Sequence, residues 1–295
     1  MDSIYSDNCV WDAKAIIGEG PVWVSENNNL YWVDINSKQI LIYSTITKNK
    51  IKVDVPHKIG WAIPTYNNFN LFLCGFKNFI GKYDISNKKL EVVHELNEKY
   101  KNNRLNDAKF DSKGNLWTGT MDDDAKDDKG YFYKFPNYST KILQDGPFKV
   151  TNGPAINKSE NTLYHCDSLS QIIHKYEIDD EYNLLNRSIF IKYEALEDGF
   201  PDGITVDNED CLWVARYGSN KITRYSPEGN PCFEIILPAK NVTSCTFGGT
   251  DLDVLYVTTA RDGLNTENLI KYPLSGGLFE INLPFKGISN FYSPW

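Results

Sequence analysis

Long apolar runs are missing from this chain of 295 residues. Nothing approaches the roughly 20 apolar residues that cross a bilayer as a helix, so a transmembrane helix is excluded. Positive charge is in deficit: 31 Lys and Arg stand against 39 Asp and Glu, a formal net charge of −8. A nucleic-acid partner wants a basic stripe that this balance does not supply. Histidine is scarce, and none of His57, His94, His165 and His174 has metal-pair spacing. His165 lies inside a strand-like run and reads as a core or rim residue. The six cysteines (Cys9, Cys74, Cys166, Cys211, Cys232, Cys245) form no C-x-x-C pair. Most sit in apolar runs, so buried free thiols of a reducing cytoplasm are expected rather than disulfides or a zinc site. The opening Met1-Asp2-Ser3-Ile4-Tyr5 has neither the basic nor the apolar segment of a secretory signal, which points to the same compartment. Absent too are G-x-S-x-G, H-E-x-x-H and G-x-x-x-x-G-K-S/T, and with them the hydrolase elbow, the zincin helix and the phosphate loop. Helical periodicity is nearly missing, and no Pro/Gly/Ser-rich linker divides the chain. Residues 1–295 are therefore expected to form one domain.

Aromatic residues are what the chain has instead, with 7 Trp, 18 Tyr and 15 Phe. Such side chains favour pleated, half-buried surfaces. One short strand-like pattern recurs six times: Leu30-Tyr-Trp-Val-Asp34, Leu71-Phe-Leu-Cys-Gly75, Leu116-Trp-Thr-Gly-Thr120, Leu163-Tyr-His-Cys-Asp167, Leu212-Trp-Val-Ala-Arg216 and Leu255-Tyr-Val-Thr-Thr259. The leucines are 41, 45, 47, 49 and 43 positions apart. That spacing matches the ~40–45 residues of a four-stranded propeller blade. Most copies follow a turn rich in Asn, Asp, Ser or Gly, such as Asp111-Ser-Lys-Gly-Asn115. Four are followed by a third strand marked Ile40…Tyr43, Ile80…Tyr83, Ile173…Tyr176 and Ile222…Tyr225, with a weaker fourth strand beyond. The expected fold is all-β: a six-bladed β-propeller with four-stranded antiparallel blades, whose closure hides the sheet edges.

The first strand of each blade should begin about eleven residues before the repeat Leu and line the central channel. There the sequence reads Glu19-Gly-Pro, Ile59-Gly-Trp, Asn106-Asp-Ala, Asn152-Gly-Pro, Asp202-Gly-Ile and Thr243-Ser-Cys. Equivalent positions in a ring converge on its axis, so Glu19, Asn106, Asn152 and Asp202 should meet at one mouth. Two carboxylates and two amides facing inward need a partner. One divalent cation, Ca²⁺, Mg²⁺, Mn²⁺ or Zn²⁺, suits these oxygen ligands. Arg104 stands close enough to offer a donor fork to substrate oxygens. By strand order, Asp34, Asp122–Asp124, Asp167, Arg216 and Arg261-Asp262 should rim the same mouth. The irregular stretches Asp122–Gly130 and Arg261–Gly277 should leave from that face as overhanging loops.

An ordered set of motifs resembles the regucalcin / senescence marker protein / gluconolactonase family: Gly18-Glu-Gly-Pro-Val-Trp23, Asn102-Asn-Arg-Leu-Asn-Asp107, Gly119-Thr-Met121, Thr151-Asn-Gly153, Pro201-Asp-Gly203 and Tyr256-Val-Thr-Thr-Ala-Arg-Asp-Gly263. The resemblance implies a six-bladed propeller and a metal-dependent sugar lactonase. It implies metal ligands at Glu19, Asn152 and Asp202, with Asp202 also catalytic as general base. It implies substrate contacts at Arg104 and Asn106, and at Asp124, where the family has a Glu. The expected partner is a small-molecule sugar lactone, with no nucleic acid and no membrane. Two rivals stay open: another metal-dependent esterase or phosphotriesterase on the same site, and a calcium-binding propeller without enzymatic activity.

Overall fold

Each repeat leucine falls in the second strand of a four-stranded sheet in the computed structural model, which describes residues 1–96 and 101–295. The strand Leu116–Asp122 is buried at every position. Trp32, Trp117 and Trp213, one place or two beyond the repeat Leu in their strands, are among the largest fully buried side chains. These strands read as unbroken apolar runs because each sheet packs between two others. Tyr31 and Val33 of the first sheet share a cluster with Phe72 and Cys74 of the second, and Trp213 of the fifth meets Val257 of the sixth. The outer strands instead face water, as most of Leu184–Lys192 does.

The six sheets are the six expected blades, all antiparallel within the repeat. Their innermost strands are Gly18–Val24, Ile59–Thr65, Asn103–Phe110, Thr151–Ile156, Phe200–Val206 and Asn241–Gly248. All four predicted Ile…Tyr pairs lie in third strands: Gln39–Ser44, Phe79–Asp84, Ile172–Ile178 and Lys221–Tyr225. Asp turns set the hairpins. Asp207 accepts the backbone N–H groups of Glu209 and Cys211 and the indole N–H of Trp213 at 2.8 Å. Asp111 does the same for Lys113, Asn115 and Trp117. A helix, Thr266–Lys271, is capped by Asn265.

The repeat predicted a closed ring but not the strand that closes it. The outermost strand of the sixth blade is Cys9–Trp11 from the start of the chain, antiparallel to Leu278–Asn282. Asp2–Tyr5 adds a fifth, parallel strand to the fifth blade. The seam is held further inside by the Thr243 hydroxyl, which donates to the Gly18 carbonyl at 2.5 Å.

One irregularity recurs in all six blades and positions the site. The pairing of innermost with second strand slips between Glu19 and Val22, Ile59 and Trp61, Leu105 and Ala108, Asn152 and Ala155, Pro201 and Ile204, and Val242 and Ser244. A bulge leaves residues unpaired and re-aims their side chains. Here it falls on or beside the positions that sequence spacing placed at the axis. Gly20 and Gly153 take φ of 55° and 76° in two of these bulges, a backbone that L side chains rarely adopt.

Candidate active site

Glu19, Arg104, Asn106, Asn152 and Asp202 come from the innermost strands of blades one, three, four and five and line one cavity of about 240 Å³. All five are buried. The Glu19 and Asp202 carboxyls lie against each other, and burial followed by mutual repulsion pushes the Asp202 carboxyl well above the usual range; burial and Asp107 do the same for Glu19. The Gly20 N–H donates to Glu19 Oε2 at 3.0 Å.

A hydrogen-bond chain fixes the amides. Arg104 Nη1 donates to the Leu105 carbonyl at 3.1 Å and to Asn106 Oδ1 at 2.5 Å. Asn106 Nδ2 donates to the Thr151 carbonyl at 2.6 Å and to Asn152 Oδ1 at 2.8 Å. Asn152 Nδ2 donates to Ser168 Oγ at 2.8 Å. The chain sets both amide orientations, and each amide oxygen accepts one of these bonds with a lone pair to spare.

Among the described residues, no three His, Cys, Asp or Glu side chains are grouped to hold an ion by themselves. A cation at this floor therefore needs the amide oxygens. The donor set fits one: two buried carboxyls beside two amide oxygens whose orientations are fixed by hydrogen bonds, all hard oxygen donors. Arg104 is the cation the structure supplies nearby, and its attraction to Asp123, Glu19 and Asp202 opposes the effect of its own burial.

Sequence reasoning gave no role to Asp107, Ser168 or Tyr217, and placed Asp123 at the rim without its tie to Arg104. Asp107 lies beneath the floor, accepts from the N–H of Ala108 (2.8 Å) and Gly153 (3.0 Å), and is pushed up to about 6 by burial. The bulge that frees Asn106 also frees its neighbour, which is the signal that could have found it. Asp123 sits 3.1 Å from Arg104 Nε, out of line for a hydrogen bond, with Lys58 at 2.5 Å and Lys77 at 3.4 Å. Burial would raise its carboxyl, but the three cations outweigh it and hold it low.

Asp124 is placed differently from the expectation. Its side chain is 62% exposed, takes the Asn102 amide at 3.3 Å, and does not line the cavity; its neighbour Ala125 does. The predicted rim acids also serve another purpose. Asp34 accepts the N–H groups of Ile16, Ile17 and Ser37. Asp167 accepts those of Lys149 and Val150, and Asp122 those of Lys126 and Asp127. These acids pin the loops that lead into and out of the site. Arg216 is tied to Asp198 at 3.0 Å and Glu234 at 3.5 Å. No residue of 261–277 lines the cavity, so that stretch does not overhang it. The six cysteines are free thiols. His165 is a core residue between Phe132 and Phe148, its ring centroid 4.5 and 4.8 Å from theirs.

Fold and site together define a class: a closed six-bladed β-propeller with an acid-and-amide cavity on its axis. The family profile described as SMP-30/Gluconolactonase/LRE-like region matches residues 17–261, and the chain belongs to that family. It is 31% identical over 278 residues to a Bacillus subtilis protein named "Putative sugar lactone lactonase YvrE", with 94% of each chain covered. It is equally 31% identical over 285 residues to regucalcin of Danio rerio, covering 95% of each. A solved luciferin-regenerating enzyme superposes with a TM-score of 0.90 at 28% identity, over 98% of this chain and 99% of the other. Among the described residues no helix is long and apolar enough to cross a membrane.

Proposed function

We propose that this protein is a metal-dependent hydrolase that opens a sugar lactone to its hydroxy acid. The observation that carries the reading is the pair Glu19 and Asp202, two buried carboxyls in contact on a cavity floor shared with Asn106, Asn152 and Arg104. The lactonase name of the Bacillus relative supports the substrate class. Glu19, Asn152 and Asp202 hold the divalent cation, which when bound polarises a carbonyl oxygen and makes water more acidic. Asp202 takes the proton from the attacking water as the new C–O bond forms. The ester C–O bond then breaks, and the departing ring oxygen takes that proton from Asp202, which is left ionised for the next turnover. Arg104 and Asn106, locked to each other, hold the lactone oxygens in place and supply orientation rather than proton transfer. Apolar walls limit bulk water, which strengthens each of these contacts.

The test is a pH-indicator assay of lactone opening, using protein stripped of metal and then given Ca²⁺, Mg²⁺, Mn²⁺ or Zn²⁺ in turn. Turnover should need a cation. Asp202→Ala or Glu19→Ala should lower it by about 10³-fold or more while the melting curve stays cooperative. Near-normal turnover by either variant at saturating cation would refute the assignment.

A further inference from the structure

The channel has a second mouth. Arg104, Asn152 and Asp202 stand near the starts of their innermost strands, and Lys109, Ile156 and Thr205 stand at or next to the ends of the same three strands. A strand that runs through the ring puts its two ends on opposite faces. On that lower face the three residues line a cavity of about 530 Å³, larger than the one that holds Glu19 and Asp202. The stretch 286–291 walls it. The Gly287 N–H donates to the Leu252 carbonyl at 2.7 Å, the Asn208 N–H to the Lys286 carbonyl at 2.8 Å and Asn290 Nδ2 to Thr246 Oγ1 at 3.2 Å, so the wall is fixed to blades five and six.

The polar groups of this cavity are short of partners. Lys109 borders both the cavity and a void of about 30 Å³ that Asp107 also lines. Its ammonium has no hydrogen bond or ion pair among the described residues; burial pulls it down, and the Asp107 charge opposes that. Thr205 is 4% exposed, and its hydroxyl has no partner among the described residues. The side chains of Asn208 and Ser289 are free in the same sense, and Lys158 adds a second unpaired cation. The two carboxylates at the cavity are engaged. Glu160 accepts from the N–H and hydroxyl of Ser112 and from the Tyr182 hydroxyl, and Asp251 lies 3.8 Å from Lys286.

A shielded ammonium and a buried hydroxyl without partners cost free energy that a ligand can return. The cation calls for an anion, and the surrounding hydroxyls and amides call for further hydroxyls. The volume suits a molecule of sugar size. We infer that the lower cavity is a second ligand site for a small hydroxylated organic anion. Its carboxylate or phosphate meets the Lys109 ammonium, and its hydroxyls meet Thr205, Asn208 and Ser289. The site stands apart from the lactone chemistry at the upper mouth and does not depend on it.

Isothermal titration calorimetry on the full chain, at about 0.15 M salt to screen loose surface attraction, tests this. The probes are D-gluconate, D-glucose 6-phosphate, inorganic phosphate and the neutral methyl α-D-glucoside. At least one of the two organic anions should bind saturably, one per chain, with Kd of about 1 mM or below. The tighter of the two names the head group. Inorganic phosphate should bind about 10-fold more weakly or worse, and the glucoside should not bind. Asn208 is exposed, so Asn208→Asp should fold normally; its added negative charge should weaken anion binding by about 10-fold or more and leave lactone opening unchanged. Lys109→Met, which keeps the stem and removes the charge, should weaken binding as much while its melting curve stays cooperative. No saturable binding of either organic anion would overturn the inference. So would equal binding of the glucoside or of inorganic phosphate, or an affinity that ignores Asn208→Asp. Each of these results leaves the lactonase reading standing, because the titration measures binding at the other mouth.

Discussion

Glu19 and Asp202 resist ionising because burial removes water, with the Asp107 charge adding repulsion at Glu19 and the Glu19 charge adding it at Asp202. Glu19 is pushed up to about 8 from an ordinary value of 4.5. Between those values the folded protein without a cation keeps a proton that the unfolded chain has released. Where the folded state binds more protons, stability falls as pH rises. The melting temperature without added cation should therefore drop between about pH 5 and pH 8. Adding a divalent cation should flatten the slope, and Glu19→Gln should remove much of it; scanning fluorimetry across pH reads all three. At the same scale, Asp123 and Asp124 are neighbours with different fates. Asp123→Asn frees Arg104 from its nearest carboxylate and should raise KM by about 10-fold with a smaller change in kcat. Asp124→Asn, on an exposed side chain, should change neither constant by more than about 2-fold. Michaelis constants for the two variants decide between them. Three consecutive aspartates cannot be told apart by type, so sequence alone could not say that Asp123 and not Asp124 lies beside Arg104; only the course of the loop separates them. Strand order placed the rim acids Asp34, Asp122 and Asp167 at the mouth but not their capping role, since a carboxylate that caps backbone N–H groups looks the same in sequence as one that meets substrate.

The element that makes the site is the bulge in the innermost strand. Side chains in a regular strand alternate, so two adjacent residues such as Asn106 and Asp107 would face opposite ways. The slip between Leu105 and Ala108 frees both. Gly153 sits in the equivalent slip with φ of 76°, and a Cβ there would stand 2.8 Å from Ile204 Cγ1. Gly153→Ala should cost about 2 kcal/mol and lower the melting temperature by several degrees. It should also weaken cation binding, because Asn152 is moved with the backbone; thermal melts and a cation titration measure the two effects. The second strands were legible because they are apolar on both faces, and the repeat leucines locate them. The axial positions were legible because they keep a fixed distance from those leucines. Outer strands such as Leu184–Lys192 were faint, since one edge and much of one face meet water and their composition resembles that of a turn.

At the scale of the whole molecule, six blades close only because Cys9–Trp11 completes the sixth. Those three residues are too short to announce a strand, which is why the repeat showed a closed ring but not the segment that closes it. Trp11 packs with its ring edge against Trp32, 5.7 Å between centroids, so the closing strand also joins the sixth blade to the first. Deleting residues 1–11 strips the partner from Leu278–Asn282 and uncovers an apolar seam. The truncated chain should lose cooperative melting and run partly as aggregates on size exclusion, because an exposed edge strand recruits others.

The same closure orders events in time. Cys9 is made near the beginning of synthesis and its partner Phe279 near the end. The leading segment must therefore wait, unpaired, while five blades form behind it. The floor carboxyl of Glu19, carried by the strand that follows, gains its final setting only when the last blade arrives. Assembly of this site is a terminal event of biosynthesis, and a chain released early holds its acids without a cavity to put them in.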